Sequence, residues 1–212
     1  HATEAYTSNF ANDYTDGIAL QTIKLVFEWL EKSVKTADPE AREKMHNAST
    51  MAGMAFANAF LGMSHSMAHK IGAVHHTVHG RTNAILLPYV IRYNGTRPSK
   101  TTTWPKYNYW KADEKFQDIA KMLGLPHSTP EEAVEAYAKA VYDLGVAVGI
   151  KMNFKDQGID EKAWKDSLHE IALLAYEDQC SPANPRLPMV ADMEEIMADA
   201  YYGYAERPGR RK

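Results

Sequence analysis

A single cysteine, Cys180, in 212 residues rules out an internal disulfide, so stability has to come from packing. No apolar run is long enough to span a bilayer. No stretch alternates apolar and polar residues for long enough to build a sheet, and no repeat period emerges. No Gly-rich phosphate-binding turn follows a strand: Gly72, Gly80 and Gly95 stand apart as separate turns or helix ends. Positive charge is not gathered either. A net charge of −3 and a pI near 6.3, with Lys and Arg interspersed among Asp and Glu, provide no field for phosphates. These absences argue against a disulfide scaffold, a membrane protein and a nucleic-acid binder. No signal-peptide pattern is present, so the cytoplasm is the expected location.

What the chain does contain is helix after helix. It opens without methionine or a polar leader, directly in helical pattern, with Glu4, Ala5 and Ala11 around Tyr6 and Phe10, and so reads as a piece of something longer. Thr15-Asp16-Gly17 reads as the stop of that first helix. Ile23, Val26, Phe27 and Leu30 then fall at helical spacing. Pro39 suits the first position of the next helix, whose Ala48, Ala52, Ala55 and Ala59 stripe marks a buried segment open to close approach. The segment "NAILLPYVIRYNG" ends at Asn94-Gly95, residues 96 to 111 form the longest candidate loop, and four further helical stretches follow. The expectation is one all-α domain over residues 1–212, with roughly seven to nine helices.

Five of the nine histidines crowd into "GMSHSMAHKIGAVHHTVHG", residues 62–80. His65 and His69, four apart, share a helix face with Cβ atoms about 5–6 Å apart, a spacing that suits two ligands of one metal. His79, followed by Gly80, can turn back toward them. Three neutral imidazoles with an open position suit a catalytic transition metal better than a closed structural one. The other histidines read more plainly: His46, His127 and His169 as satisfied core or edge residues, His75 and His76 as loop residues. Glu43-Lys44-Met45-His46 matches the Glu-x-x-His of di-iron bundles, but those need the motif twice. Met51, Met54, Met63 and Met67 read as core filler.

The stretch "GMAFANAFLGMSHSMAHKIGA", with His79-Gly80, Asn83-Ala84, "LLPYVIRYN" and "DQCSPANPR", resembles the iron-dependent (group III) alcohol dehydrogenases. Within that family it is most similar to the alcohol dehydrogenase part of bifunctional aldehyde-alcohol dehydrogenases. The resemblance implies the C-terminal helical, metal-binding domain alone, with the N-terminal nucleotide-binding domain absent from these residues. It implies a metal, Fe2+ or Zn2+, held by His1, His65 and His79 together with an aspartate four places before His1. His69 then becomes a non-ligand beside the nicotinamide of NAD(H), suited to relay a proton. Phe56, Leu61 and Cys180 would lie near the substrate. His75 and Val78 depart from the aromatic residue and the proline that family members often carry there.

The activity implied is hydride transfer between NAD(H) and a short-chain aldehyde, acetaldehyde above all, and its primary alcohol, with the metal as Lewis acid. Without a nucleotide-binding part the chain alone is expected to be inactive and, having a bare domain face, to self-associate. Two alternatives stay open: the helical domain of a dehydroquinate synthase-like lyase, and a non-enzymatic assembly or filament-packing module.

Overall fold

Local capping decides where most helices begin. In the computed structural model, which describes residues 1–98 and 110–203, Asn12 accepts hydrogen bonds from the Tyr14 and Thr15 backbone N–H groups. The Thr15 hydroxyl in turn accepts the Asn12 N–H, closing a capping box. With Asp13 and Asp16 favouring the helix dipole, a helix starts here. The stop expected at Thr15-Asp16-Gly17 is therefore a correction. The break falls at residues 8–12 and Gly17 lies inside a 24-residue helix, whose length and burial outweigh a glycine penalty of about 1 kcal/mol.

The elements are α1 (Ala2–Thr7), α2 (Asp13–Thr36), α3 (Pro39–Ala59), α4 (Met63–His75), α5 (His79–Gly95), α6 (Ala112–Met122), α7 (Pro130–Ala147), α8 (Glu161–Tyr176) and α9 (Val190–Tyr202), with a 3-10 turn at Ser181–Ala183. Among the described residues the fold is all helix. Asp38 caps α3 through the Ala41 N–H with Pro39 at its first turn, Thr129 caps α7 above Pro130, and Asp160 caps α8. Most of the loop expected at 96–111 lies outside the described residues.

Helix α5 divides the interior into two cores. Ile85, Leu86, Tyr89 and Val90 face Met63, Met67, Ile71, Phe154, Trp164, Met193, Met197 and Tyr201, so α4, α8 and α9 pack on that side. Ile91 and Leu87 face Ala5, Tyr6, Ile23, Phe116, Ile119 and Tyr137, which brings α1, α2, α6 and α7 to the other. An apolar "AILLPYVI" run is what a helix buried on two sides requires. Helix α3 was expected to be buried throughout, but burial is confined to alanines: Ala41, Ala48, Ala55 and Ala59 are buried and Ala52 partly so, while Met54 is 56% exposed. Met63 and Met67 fill core, as expected; Met54 does not.

Only six residues long, α1 is held from several directions. Thr3 Oγ1 and the Tyr137 hydroxyl are 2.6 Å apart, Lys115 Nζ donates to the Tyr6 carbonyl at 2.6 Å, and Ser8 Oγ donates to the Ala59 carbonyl. Just past the end of α1, where Asn9 Nδ2 donates to its carbonyl at 2.8 Å, Asn184 ties three segments together. Its Oδ1 accepts from the Met63 N–H and from Asn94 Nδ2, each at 3.1 Å. Its Nδ2 donates to Asn94 Oδ1 at 2.7 Å and to the Arg186 carbonyl at 2.6 Å. Asn184 is buried, and each buried polar group left unpaired costs about 1–3 kcal/mol. Asn184→Ala, which strands the Asn94 amide and the Met63 N–H, is expected to cost about 2–4 kcal/mol in urea unfolding; a loss under about 0.5 kcal/mol would refute the role given to this amide.

Candidate metal centre

Helix α4 begins with no side-chain cap of its own, and its first N–H groups are met from elsewhere. Asn184 takes that of Met63, and Glu4 Oε1, from α1, takes that of Ser64 at 2.7 Å. The second oxygen of Glu4 meets His65 Nδ1. One carboxylate thus caps α4 and orients an imidazole one residue further on. Gly62 makes room: a Cβ there would lie 2.6 Å from Asn184 Oδ1 and 3.0 Å from Glu4 Oε1.

His65 is 2% exposed, and its Nε2 is buried with no hydrogen-bond partner. The His1 and His79 rings stand 4.4 and 5.3 Å from the His65 ring, centroid to centroid, and His1 stacks on Phe56 at 4.7 Å. One ring nitrogen from each of His1, His65 and His79 lies within 4.8 Å of the others. Burial, reinforced by the neighbouring His65 and His69, holds the His79 pKa below its ordinary value, favouring the neutral form that ligates metals.

His69 stacks against His79 at 5.5 Å, and its Nδ1 lies 3.2 Å from Asp178 Oδ2. Asp178 also receives Lys70 Nζ at 2.9 Å and the Cys180 N–H at 3.0 Å. A cavity of about 330 Å³ is lined by His1, Phe56, Phe60, Leu61, His65, His69, His79 and Cys180, among others. All seven site residues nominated from the sequence are therefore neighbours in space. His75 and His76 are not among them. His75 ends α4, lies 3.0 Å from Ser167 Oγ and stacks on Trp164, and both line a separate cavity with Arg81 and Asp160. His46, His127 and His169 are exposed, edge residues and not core.

Residues 1–201 match the model of the Fe-containing alcohol dehydrogenase family, C-terminal. This chain belongs to that family. It is 79% identical over 212 residues to an aldehyde-alcohol dehydrogenase of Streptococcus pneumoniae serotype 2, covering all of this chain and 24% of that protein. To the bifunctional aldehyde-alcohol dehydrogenase AdhE of Escherichia coli K12 it is 40% identical, over 96% of this chain and 23% of the relative. Among solved structures, 1,3-propanediol oxidoreductase superposes with a TM-score of 0.82 at 35% identity, over 95% of this chain and 49% of that one. The iron-containing alcohol dehydrogenase of Thermococcus thioreducens gives 0.79 at 34%, over 96% and 48%. The chain spans about a quarter of the length of these curated relatives.

For a member of the Fe-containing alcohol dehydrogenase family the donor set can be tested on charge. Burial pushes the Glu4 carboxyl up, but the hydrogen bond from His65, that ring's charge when protonated, the amino group of His1 and the Ser64 N–H together hold it below the usual carboxylate range. Among the described residues no Lys or Arg forms an ion pair with Glu4. A buried anion, an unpartnered Nε2 aimed past it and two more imidazoles fit a divalent cation. A second group, His69, Asp178 and Cys180, has donor atoms equally close, but it fits a cation poorly. Lys70 already neutralises Asp178, and burial with the nearby Asp178 charge raises the Cys180 thiol to about 12, so no thiolate is offered.

Sequence reasoning missed Glu4, Asp178, Lys70 and Asn184. Glu4 carries a weak signal, lying one helical turn from His1; Lys70, Asp178 and Asn184 fall inside the quoted motifs, but nothing in the sequence pairs them with partners remote in the chain. The Asp178 carboxyl, pushed up by burial yet pulled further down by the Cys180 N–H, Lys70 and His69, sits below its ordinary value in the fold. Such a group contributes stability that is fully present above its unfolded pKa of about 4 and is lost as pH falls through the lower folded value. Unfolding free energy measured from pH 7 down to 3 should therefore fall less steeply in Asp178→Asn below about pH 4; identical slopes would mean that these contacts contribute no linkage.

Proposed function

We propose that this chain is the metal-bearing helical part of an NAD(H)-dependent alcohol dehydrogenase that interconverts a short-chain aldehyde, acetaldehyde above all, and its primary alcohol. The observation that carries the reading is the buried, unpartnered Nε2 of His65, set among His1 and His79 and backed by a carboxylate. His1, His65 and His79 would hold Fe2+ or Zn2+. When bound, a divalent ion supplies Lewis-acid stabilisation for negative charge on the substrate oxygen.

The chain's own residues account for the remaining chemistry. Reduction adds a hydride from NADH to the carbonyl carbon and a proton to the oxygen. His69 is suited to the proton: its Nδ1–H donates to Asp178, which leaves Nε2 for exchange at the cavity, and its side chain is one-third exposed, within reach of solvent. Phe56 and Leu61 give the cavity apolar walls suited to a short alkyl chain, and Cys180, kept as a thiol, is a wall and not a nucleophile. The nucleotide-binding part lies outside residues 1–212 in this reading, which agrees with the quarter of its relatives that the chain spans, and residues 1–212 alone are inactive. Phe60, half exposed at the cavity mouth, and Phe10 beside it would seat that part or a second copy. A cytoplasmic setting suits the lone reduced cysteine. The lyase alternative loses ground to relatives that are named alcohol dehydrogenases.

Two outcomes test the assignment. In the full-length protein, His69→Gln should keep its metal while turnover drops about a hundredfold to ten-thousandfold, whereas His65→Gln should lose metal and activity together; elemental analysis beside steady-state rates decides, and equal metal loss in both would make His69 a ligand. In the 212-residue chain, an all-imidazole set should bind zinc more tightly than iron(II). Calorimetric titration of chelated protein in which iron binds more tightly would contradict that donor set.

A further inference from the structure

The i, i+4 histidines of α4 are each backed by a carboxylate at Nδ1, yet the two pairs differ. Asp178 behind His69 is neutralised by Lys70 at 2.9 Å. Glu4 behind His65 is 3% exposed, and its hydrogen-bond partners among the described residues are the Ser64 N–H and His65 itself. We infer that Glu4 is a positioning residue for the metal: it locks His65 in the Nδ1–H tautomer, presenting the Nε2 lone pair to the site, and supplies the buried negative charge that retains a divalent ion.

The tautomer follows from bookkeeping of donors. Both Glu4 oxygens are acceptors, so the imidazole nitrogen facing Oε2 must carry the hydrogen, and in the neutral ring, the form that ligates metals, the buried and unpartnered Nε2 then keeps its lone pair. In Glu4→Gln the amide has one acceptor and one donor end. Its oxygen is claimed by the Ser64 N–H, so its NH2 faces His65 Nδ1. That nitrogen becomes an acceptor, the proton moves to Nε2, and the ligating lone pair is gone. One isosteric change thereby removes the charge and reverses the tautomer together. Loss of such a carboxylate behind a ligating imidazole weakens metal affinity by about tenfold to a hundredfold.

This inference rests on the metal-bearing reading above, and the test separates the two. In the full-length protein, the zinc dissociation constant is measured by competition with a chromogenic chelator for the parent, Glu4→Gln, Glu4→Asp, His65→Gln and the double variant Glu4→Gln/His65→Gln. The expected result is about tenfold to hundredfold weaker binding in Glu4→Gln, partial recovery in Glu4→Asp, which keeps the charge, and a clearly smaller further loss, from charge alone, when Glu4→Gln is added to His65→Gln. Parental affinity in Glu4→Gln, a loss matched by Glu4→Asp, or additive losses in the double variant would overturn the positioning role; parental affinity in His65→Gln would overturn the metal reading instead. Should Glu4→Gln fail to fold, solid-state 15N spectra of histidine-labelled, metal-free parent decide alone, with the His65 signal assigned by its disappearance in His65→Gln: an Nδ1–H ring is expected, and an Nε2–H ring sinks the inference.

Discussion

A carboxylate buried away from water persists only where hydrogen bonds and opposite charge replace its hydration, and the position of Glu4 sets that demand at the centre of this fold. The Ser64 N–H at 2.7 Å and the His65 ring meet it, helped by the positive end of α4. Both lie on α4 while Glu4 lies on α1, so the demand can be met only if the two helices are held at one height. The Thr3–Tyr137, Lys115–Tyr6 and Ser8–Ala59 contacts anchor α1 to α7, to α6 and to the last residue of α3, from which a three-residue turn leads into α4. His1 is one turn from Glu4 on the same short helix, so the restraints that seat the carboxylate also bring the His1 ring to 4.4 Å from His65.

Spacing alone does not separate His65 from His69. Both project from one face of α4, and both have Nδ1 turned to a carboxylate. The distinction is electrostatic. Lys70 is the residue next to His69 and its ammonium sits on Asp178, leaving a balanced trio of imidazole, carboxylate and ammonium. No Lys or Arg pairs with Glu4 among the described residues, where the only other positive influence is the amino group of His1, and His65 is far the more deeply buried. A cation is drawn to the first environment weakly and to the second strongly, so the two rings suit proton handling and ligation respectively.

Much of the helical layout was legible because it rests on neighbours in sequence. Asp38-Pro39 and Thr129-Pro130 start helices whose caps are visible within three residues, and the density of histidine between residues 62 and 80 marks the site without any structure. The misreading at Thr15-Asp16-Gly17 came from weighing the glycine over the reciprocal Asn12–Thr15 cap beside it. The uniform burial expected of α3 failed for a related reason: an alanine stripe reports a close approach on one face and says nothing of Met54 on the other. The supporting carboxylates were out of reach. Glu4 meets His65 across 61 residues and Asp178 meets His69 across 109, and neither pairing follows from a periodicity. The resemblance to a known family, which runs over nearly the whole chain, brought His1, Phe56, Leu61 and Cys180 into the candidate site, where spacing had offered only the histidines of one helix and the turn after it.

The segment at 60–62 shows how packing and site geometry were settled together. Phe60 closes α3 with φ 61° and ψ −173°, its N–H donating to the Phe56 carbonyl at 2.8 Å; a side chain held there costs on the order of 1–3 kcal/mol. A gentler exit would let α3 run on and carry Leu61 and Gly62 away from the cavity. The abrupt one buries Leu61 against it and sets Gly62 where Asn184 and Glu4 close in, too near for any Cβ. Helix α4 can then start with its Met63 N–H on Asn184 and its Ser64 N–H on the Glu4 carboxylate. The strain at Phe60 is thus offset by the capped start of α4, and the same turn that ends one helix determines which way His65 points.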